Sequence, residues 1–142
     1  MLRKAVFASV LLAAGLAGCA SAPPASSSAQ ALVDARFGTF NRHDLEGIVK
    51  LYAPDAVLSA PGYCSPRQGE AGVRKAYGDL FKGYPDISDE VTGYVAQGDH
   101  IAVQYKAHVG KYAVPIASFL TVKDGLIERD DTYYDGQGQH CS

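Results

Sequence analysis

The chain is expected to be α+β, with three N-terminal helices gathered on one face of a curved mixed or antiparallel sheet. Three observations predict this. Apolar residues recur at helical spacing in three stretches of the first half, from Asp86 onward the period changes to two, and Asp124-Gly125 separates two alternating runs. The resulting order is helix, helix, strand, helix, then an antiparallel meander, and no internal repeat interrupts it.

Residues 30–42 place Val33, Phe37 and Phe40 on one helical face. Asp44 is an N-cap for a short helix carrying Leu45, Ile48, Val49 and Tyr52, and Pro54 follows to help stop it. Ala56 to Ser59 reads as a short strand. The segment 61–69 holds two prolines, two glycines and Cys64, which makes it a loop. A third helix, roughly 69–83, repeats Val73, Tyr77, Leu80 and Phe81, and Gly83 with Pro85 ends it. Ile101, Val103, Tyr105, Ala107 and Val109 alternate with Ala102, Gln104, Lys106 and His108, the pattern of a half-buried strand. Pro115 to Lys123 and Leu126 to Tyr134 flank Asp124-Gly125, a type I′ hairpin signal.

The amino terminus predicts a destination. Arg3 and Lys4 precede an apolar run of roughly a dozen residues with small residues at its end, the layout of an export signal. The run is short for a spanning helix. Its ending, Leu16-Ala17-Gly18-Cys19, resembles the lipobox of bacterial lipoproteins. That resemblance implies cleavage after residue 18, lipidation of Cys19 and anchoring in the cell envelope facing the periplasm, since several acyl chains hold where one does not. The alternative is an ordinary export signal with Cys19 nearby by chance. Residues 19–29 then form the lipidated cysteine and a flexible Pro/Ala/Ser tether, 30–136 the domain and 137–142 a tail.

The whole chain of 142 residues carries 13 basic and 15 acidic side chains. Loss of residues 1–18 leaves about 124 residues, a single-domain size, and takes the net charge from −2 to −4. No basic run exists, which excludes nucleic acid as an expected partner. With Cys19 assigned to lipid, Cys64 and Cys141 remain for an oxidising compartment. They either pair, pinning the carboxyl terminus, or stay as free thiols, because spacing in sequence gives no distance between their Cα atoms.

Several segments carry a family resemblance. Gly47-Ile48-Val49-Lys50-Leu51-Tyr52-Ala53-Pro54-Asp55-Ala56, then Pro61, Pro66-Arg67-Gln68-Gly69 and Val73-Arg74-Lys75-Ala76-Tyr77 resemble the nuclear transport factor 2-like (NTF2-like) superfamily, closest to its SnoaL-like and ketosteroid isomerase branches. Val114-Pro115-Ile116-Ala117-Ser118-Phe119 and Asp124-Gly125-Leu126-Ile127 extend the likeness, which covers roughly residues 30–135. It implies a cone-shaped fold with a pocket closed by the bent sheet and the long first helix, and a homodimer through the sheet. It does not by itself imply a reaction, since this scaffold hosts many.

Departures from the isomerase branch bear on the chemistry. That branch uses an aspartate base with a tyrosine and a protonated aspartate at the oxyanion. Aligned on the motifs above, Ala60 stands at the base, Ala117 at the donor aspartate and Arg36 at the tyrosine. Steroid-type isomerisation is not expected, because a proton transfer needs a group at the proton. Thr132 stands where the epoxide hydrolase branch has its catalytic aspartate. SnoaL-type cyclases use an acid/base aspartate, a role that Asp130 is the candidate to fill.

Alternation separates Glu128, Asp130, Thr132 and Tyr134 from their neighbours, and the resemblance points this set, near its end, into the pocket. Asp130 is a catalytic candidate, a partner for Arg36 in a structural or binding ion pair, or a solvated carboxylate. Burial without a partner would raise its pKa; a pair with Arg36 would oppose that. Phe37, Phe40, Tyr63, Tyr77, Phe81, Tyr105, Phe119 and Tyr134 are either core or the lining of an apolar cavity, Tyr63 standing at the mouth. The expected ligand-binding set is Arg36, Phe40, Ala60, Tyr63, Tyr77, Phe81, Tyr105, Ala117, Phe119, Thr132 and Tyr134. His43, His100, His108 and His140 show no metal-ligand spacing, and there is no glycine-rich nucleotide loop, so neither metal nor cofactor is expected.

Two function classes follow. One is a membrane-tethered module whose cone holds a small apolar ligand or meets a partner. The other is a cofactor-independent cyclase, isomerase or hydrolase using Asp130 with a tyrosine or Arg36.

Overall fold

The computed structural model describes residues 25–135. The expected signal segment, Cys19, the 137–142 tail and Cys141 lie outside these residues. In chain order the elements are α1 (Ala25–Asn41), α2 (Leu45–Val49), β1 (Tyr52–Ser59), β2 (Arg67–Gln68), α3 (Gly69–Gly83), β3 (Ser88–Gln97), β4 (His100–Val109), β5 (Tyr112–Lys123) and β6 (Leu126–Tyr134). One six-stranded sheet has the order β2-β1-β6-β5-β4-β3. All neighbours pair antiparallel except β1 and β6, which run parallel. The three helices and this mixed sheet are the predicted α+β arrangement, and α3 spans its predicted 69–83.

The sheet curves because its ladders are interrupted. Extra residues enter β3 at Thr92, β6 at Glu128 and β1 between Tyr52 and Val57. Pro54 falls in the β1 irregularity, where its missing N–H costs no ladder bond. The sequence reading gave Pro54 the task of stopping a helix through Tyr52. Instead α2 ends at Val49, the Leu51 N–H closes onto Ile48 O at 2.9 Å, and Leu51 O accepts the Ile127 N–H at 2.8 Å to open the parallel pairing. Tyr52 therefore begins a strand and points into the core, 5 % exposed.

Helix α1 packs on β3, and α3 packs on β1. Between helices and sheet lie Val33, Ile48, Val73, Val103, Leu120 and Ile127, each shut from solvent, and each worth roughly 1.5–3 kcal/mol of burial. Phe37 meets Tyr105 edge to face at 4.9 Å. Helix α1 starts at Ala25, five residues earlier than expected, so residues 25–29 are helical rather than part of a flexible tether. Ala29, Leu32 and Val33 are buried on one side, and that burial overrides the serine-rich composition.

At the β5–β6 turn Asp124 and Gly125 both take positive φ, 52° and 79°, as a type I′ turn requires. The strand phase across this hairpin differs from the motif alignment by one residue. Ser118 and Leu120 face inward, 0 % and 1 % exposed, whereas Ala117 and Phe119 lie on the outer face.

Candidate functional site

A cavity of about 540 Å³ opens between α1, α3 and the concave face of the sheet. Of the expected set, Arg36, Phe40, Ala60, Tyr63 and Tyr77 line it, as do Tyr105, Asp130, Thr132 and Tyr134. Phe81, Ala117 and Phe119 do not, which corrects their assignment to the pocket. Phe81 packs outside it, stacked on His43 at 4.4 Å and tilted against Phe40 at 5.2 Å. Ala117 and Phe119 are turned away by the phase of β5.

Deep in the cavity one carboxylate organises the polar wall. Asp130 Oδ2 sits 2.9 Å from Arg36 Nη2 and accepts the Tyr52 hydroxyl at 2.7 Å, while Oδ1 accepts Thr132 at 3.1 Å. Arg36 and Asp130 are 4 % and 3 % exposed, so each charge depends on the other in a low-dielectric surround. Arg36 also donates from Nε to Tyr52 at 3.3 Å and from Nη2 to Tyr77 at 3.2 Å.

The proton directions follow from Asp130. A carboxylate paired with a guanidinium only accepts. Tyr52 gives its hydrogen to Asp130, so across the 2.5 Å contact Tyr77 donates to Tyr52. Thr132 gives its hydrogen to Asp130, so Ser118 donates to Thr132 at 2.8 Å and Tyr105 donates to Ser118 at 3.2 Å. Two chains, Tyr77–Tyr52 and Tyr105–Ser118–Thr132, thus converge on one carboxylate. Their hydroxyl hydrogens are all spent inside the wall. What Tyr77 and Tyr105 keep for the cavity is oxygen lone pairs.

Burial pushes the Tyr52 and Tyr77 phenols well above their ordinary range, and it raises Tyr105 and Tyr63 as well. Burial works against the Arg36 charge, yet the surrounding Tyr77, Tyr52 and Asp130 oxygens outweigh it and hold the guanidinium protonated.

A second carboxyl lies on the opposite strand. Asp89 of β3 lines the cavity, is 8 % exposed, and its Oδ1 is buried with no hydrogen-bond partner among the described residues. Burial pushes its carboxyl up to about 7, against the pull of Arg36 and His108. At the mouth Arg67 lies over the Tyr63 ring at 4.2 Å and pairs with Asp79 at 3.3 Å.

Sequence reasoning missed Tyr52, Ser118 and Asp89. Asp89 had a signal: it stands two residues after Ile87, so in a strand it shares the face of an apolar residue, and Ile87 is 5 % exposed. Ser118 had none until the phase of β5 was known. His108 meets Glu90 at 3.0 Å on the sheet surface, His43 contacts Ile87 O at 2.8 Å, and His100 opens β4. His140 lies outside the described residues. Among those residues no cluster of His, Cys, Asp or Glu could hold a metal, and no helix is long and apolar enough to cross a membrane.

Residues 33–129 match the model of the SnoaL-like domain. No protein of curated function matches the chain. Among solved structures it is similar to a candidate ketosteroid isomerase from Kribbella flavida, with 25 % identity over 82 % of this chain and 84 % of that one and a TM-score of 0.68. It is similar in fold to a candidate polyketide cyclase from Sinorhizobium meliloti, at 22 % identity over 72 % and 93 % of the two chains, TM-score 0.65. The same holds for a SnoaL-like protein of unknown function from Burkholderia thailandensis, at 21 % identity over 80 % and 100 %, TM-score 0.71. The curved sheet under three helices is the cone shape shared by NTF2-like proteins.

Proposed function

The chain belongs to the SnoaL-like domain family, and from that premise we propose that its cone holds a small, largely apolar molecule. One observation carries this reading. A cavity of about 540 Å³ has walls of aromatic and aliphatic side chains around a polar network whose central carboxylate is already hydrogen-bonded on both oxygens. A volume of that size suits a ligand of one to three rings. The same engagement favours Asp130 as the post that fixes Arg36 and the tyrosines over Asp130 as a proton carrier. Arg36, Tyr52 and Thr132 hold both of its oxygens, and the Arg36 pair depends on its charge.

A cyclase- or isomerase-type activity is the second reading. The likeness to solved proteins of those two kinds favours it. Ketosteroid-type isomerisation is not part of it: Ala60 lines the cavity where that branch places its base, and an alanine moves no proton.

Native mass spectrometry of the full chain, before and after gentle extraction, tests the binding reading. The expected result is a retained mass that disappears in Ala107→Phe, because Ala107 is buried on the cavity wall and a ring there fills it. A variant with wild-type circular dichroism that keeps the same adduct would overturn the reading.

The domain is proposed to work at the cell envelope, tethered by lipid on Cys19, as supported by the Leu16–Cys19 segment. Labelled palmitate should enter the wild-type protein and not Cys19→Ser, and only the former should pellet with membranes. A homodimer through the outer sheet face is supported by Phe119 and Tyr133, 53 % and 58 % exposed and packed edge to face at 5.8 Å. Light scattering on Phe119→Ser should return a monomer.

A further inference from the structure

We infer that Asp89 receives a hydrogen-bond donor of the bound molecule, so that the ligand is an apolar body bearing a hydroxyl or amine rather than only carbonyl or ether oxygens. This rests on the ligand-binding reading above and narrows it to a chemical class.

The geometry has two independent parts. First, Asp89 is a carboxyl more than nine-tenths buried, facing the cavity, with an oxygen, Oδ1, that finds no partner among the described residues. Such an acceptor is costly to leave unmade. Its backbone is not the cause, because the Asn41 side chain satisfies both backbone groups, donating to Asp89 O at 2.8 Å and accepting its N–H at 2.7 Å. The carboxyl is held in place while its oxygen is left open. Second, the Asp130 network on the facing wall has used its hydroxyl hydrogens. Tyr77 and Tyr105 donate inward, toward Asp130, and turn lone pairs to the cavity.

Asp89 and the Asp130 network therefore offer acceptors on two sides of the cavity. Of the Asp130 network's hydrogens, only those on Arg36 Nη1 are not spent on Asp130 or on the hydroxyls around it. A ligand whose only polar atom is a carbonyl or ether oxygen meets like against like at Asp89. One with an O–H or N–H completes it. The charged and titratable groups that bear on Asp89 are Arg36 from α1 and His108 and Tyr105 from β4. With its carboxyl pushed up to about 7, Asp89 is largely ionised at pH 8 and accepts there without donating.

The test uses two probes of nearly equal shape, 2-naphthol and 2-methoxynaphthalene, titrated into the full chain at pH 8 by fluorescence. Wild type is expected to bind the naphthol about tenfold tighter, the scale of one hydrogen bond to a charged group. In Asp89→Leu that ratio should fall to about one while the ether binds as well as before. In the wild-type protein, the carboxyl carbon resonance of Asp89 should move on adding the naphthol and stay with the ether, a readout that needs no variant. Equal affinities in wild type, or a preference unchanged in Asp89→Leu, would overturn the donor inference and leave the pocket reading standing. Failure of both probes to bind, with Ala107→Phe indistinguishable from wild type, would remove the pocket reading and this inference with it.

Discussion

Asn41 holds Asp89 by its backbone as a neighbouring strand would, one side-chain amide serving the Asp89 N–H and C=O at 2.7 and 2.8 Å. Strand β3 is the edge of the sheet, so these two groups have no strand on that side. Asn41 closes the edge at that point and joins the end of α1 to the start of β3. Asn41→Ala should lower stability by about 2 kcal/mol, two part-buried hydrogen bonds, and loosen Asp89. Urea unfolding measures the first; a wild-type midpoint would show that the clamp contributes nothing.

The Arg36–Asp130 pair spans α1 and β6 in near-complete burial. Arg36→Met leaves Asp130 buried without its counter-charge, and should cost about 3–5 kcal/mol. Adding Asp130→Leu should recover a good part of that loss, since the orphaned charge goes with it. A double variant as unstable as the sum of the two single ones would show that the pair does not act as a unit.

Asp89 sets a pH dependence with an unusual sign for a carboxylate. Burial raises it from an ordinary 3.8 to about 7. Between those values the folded chain keeps a proton that the unfolded chain has lost, so its contribution to stability falls as pH rises from about 4 to about 7. Asp89→Asn should therefore raise the melting temperature by about 5 °C at pH 8 and by little at pH 4. The same gain at both pH values would place the effect elsewhere.

Cys64 stands in the exposed loop before β2. Its pairing with Cys141 is proposed, and non-reducing peptide mapping of the full chain should recover one cross-linked peptide holding both. Two alkylated single peptides would count against it. A bridge of that length would contribute about 4 kcal/mol on the chain-entropy model.

Much of the scaffold could be read from local signals. Gly69, Gly83 and Pro85 bracket α3, and Asp124-Gly125 fixes the hairpin, because these residues act on the backbone at their own positions. Strand phase was less legible. Period two says which residues share a face, not which face is buried, and a motif alignment placed Ala117 inward where Ser118 lies. The site was half legible. Arg36 and Tyr77 could be placed from helix faces, and Asp130 joined them only through the family resemblance that turned its face of the strand inward. Tyr52 could not, because its apolar neighbours Ile48 and Val49 share a helical spacing with it that the chain abandons at Lys50. Asp89 sits in a charged stretch, Asp86 to Glu90, where only the strand geometry singles it out.

The extra residue at Glu128 has a reach beyond its own turn of backbone. Ile127 and Asp130 are an odd number of positions apart, yet both point beneath the helices, because the insertion resets the alternation between them. One strand thus supplies oil at its start and charge at its middle. Deleting that single residue would swing either the isoleucine or the aspartate to the far side without altering a side chain of either. Gain or loss of one codon in such a ribbon is a route by which relatives on this scaffold could acquire differently furnished interiors.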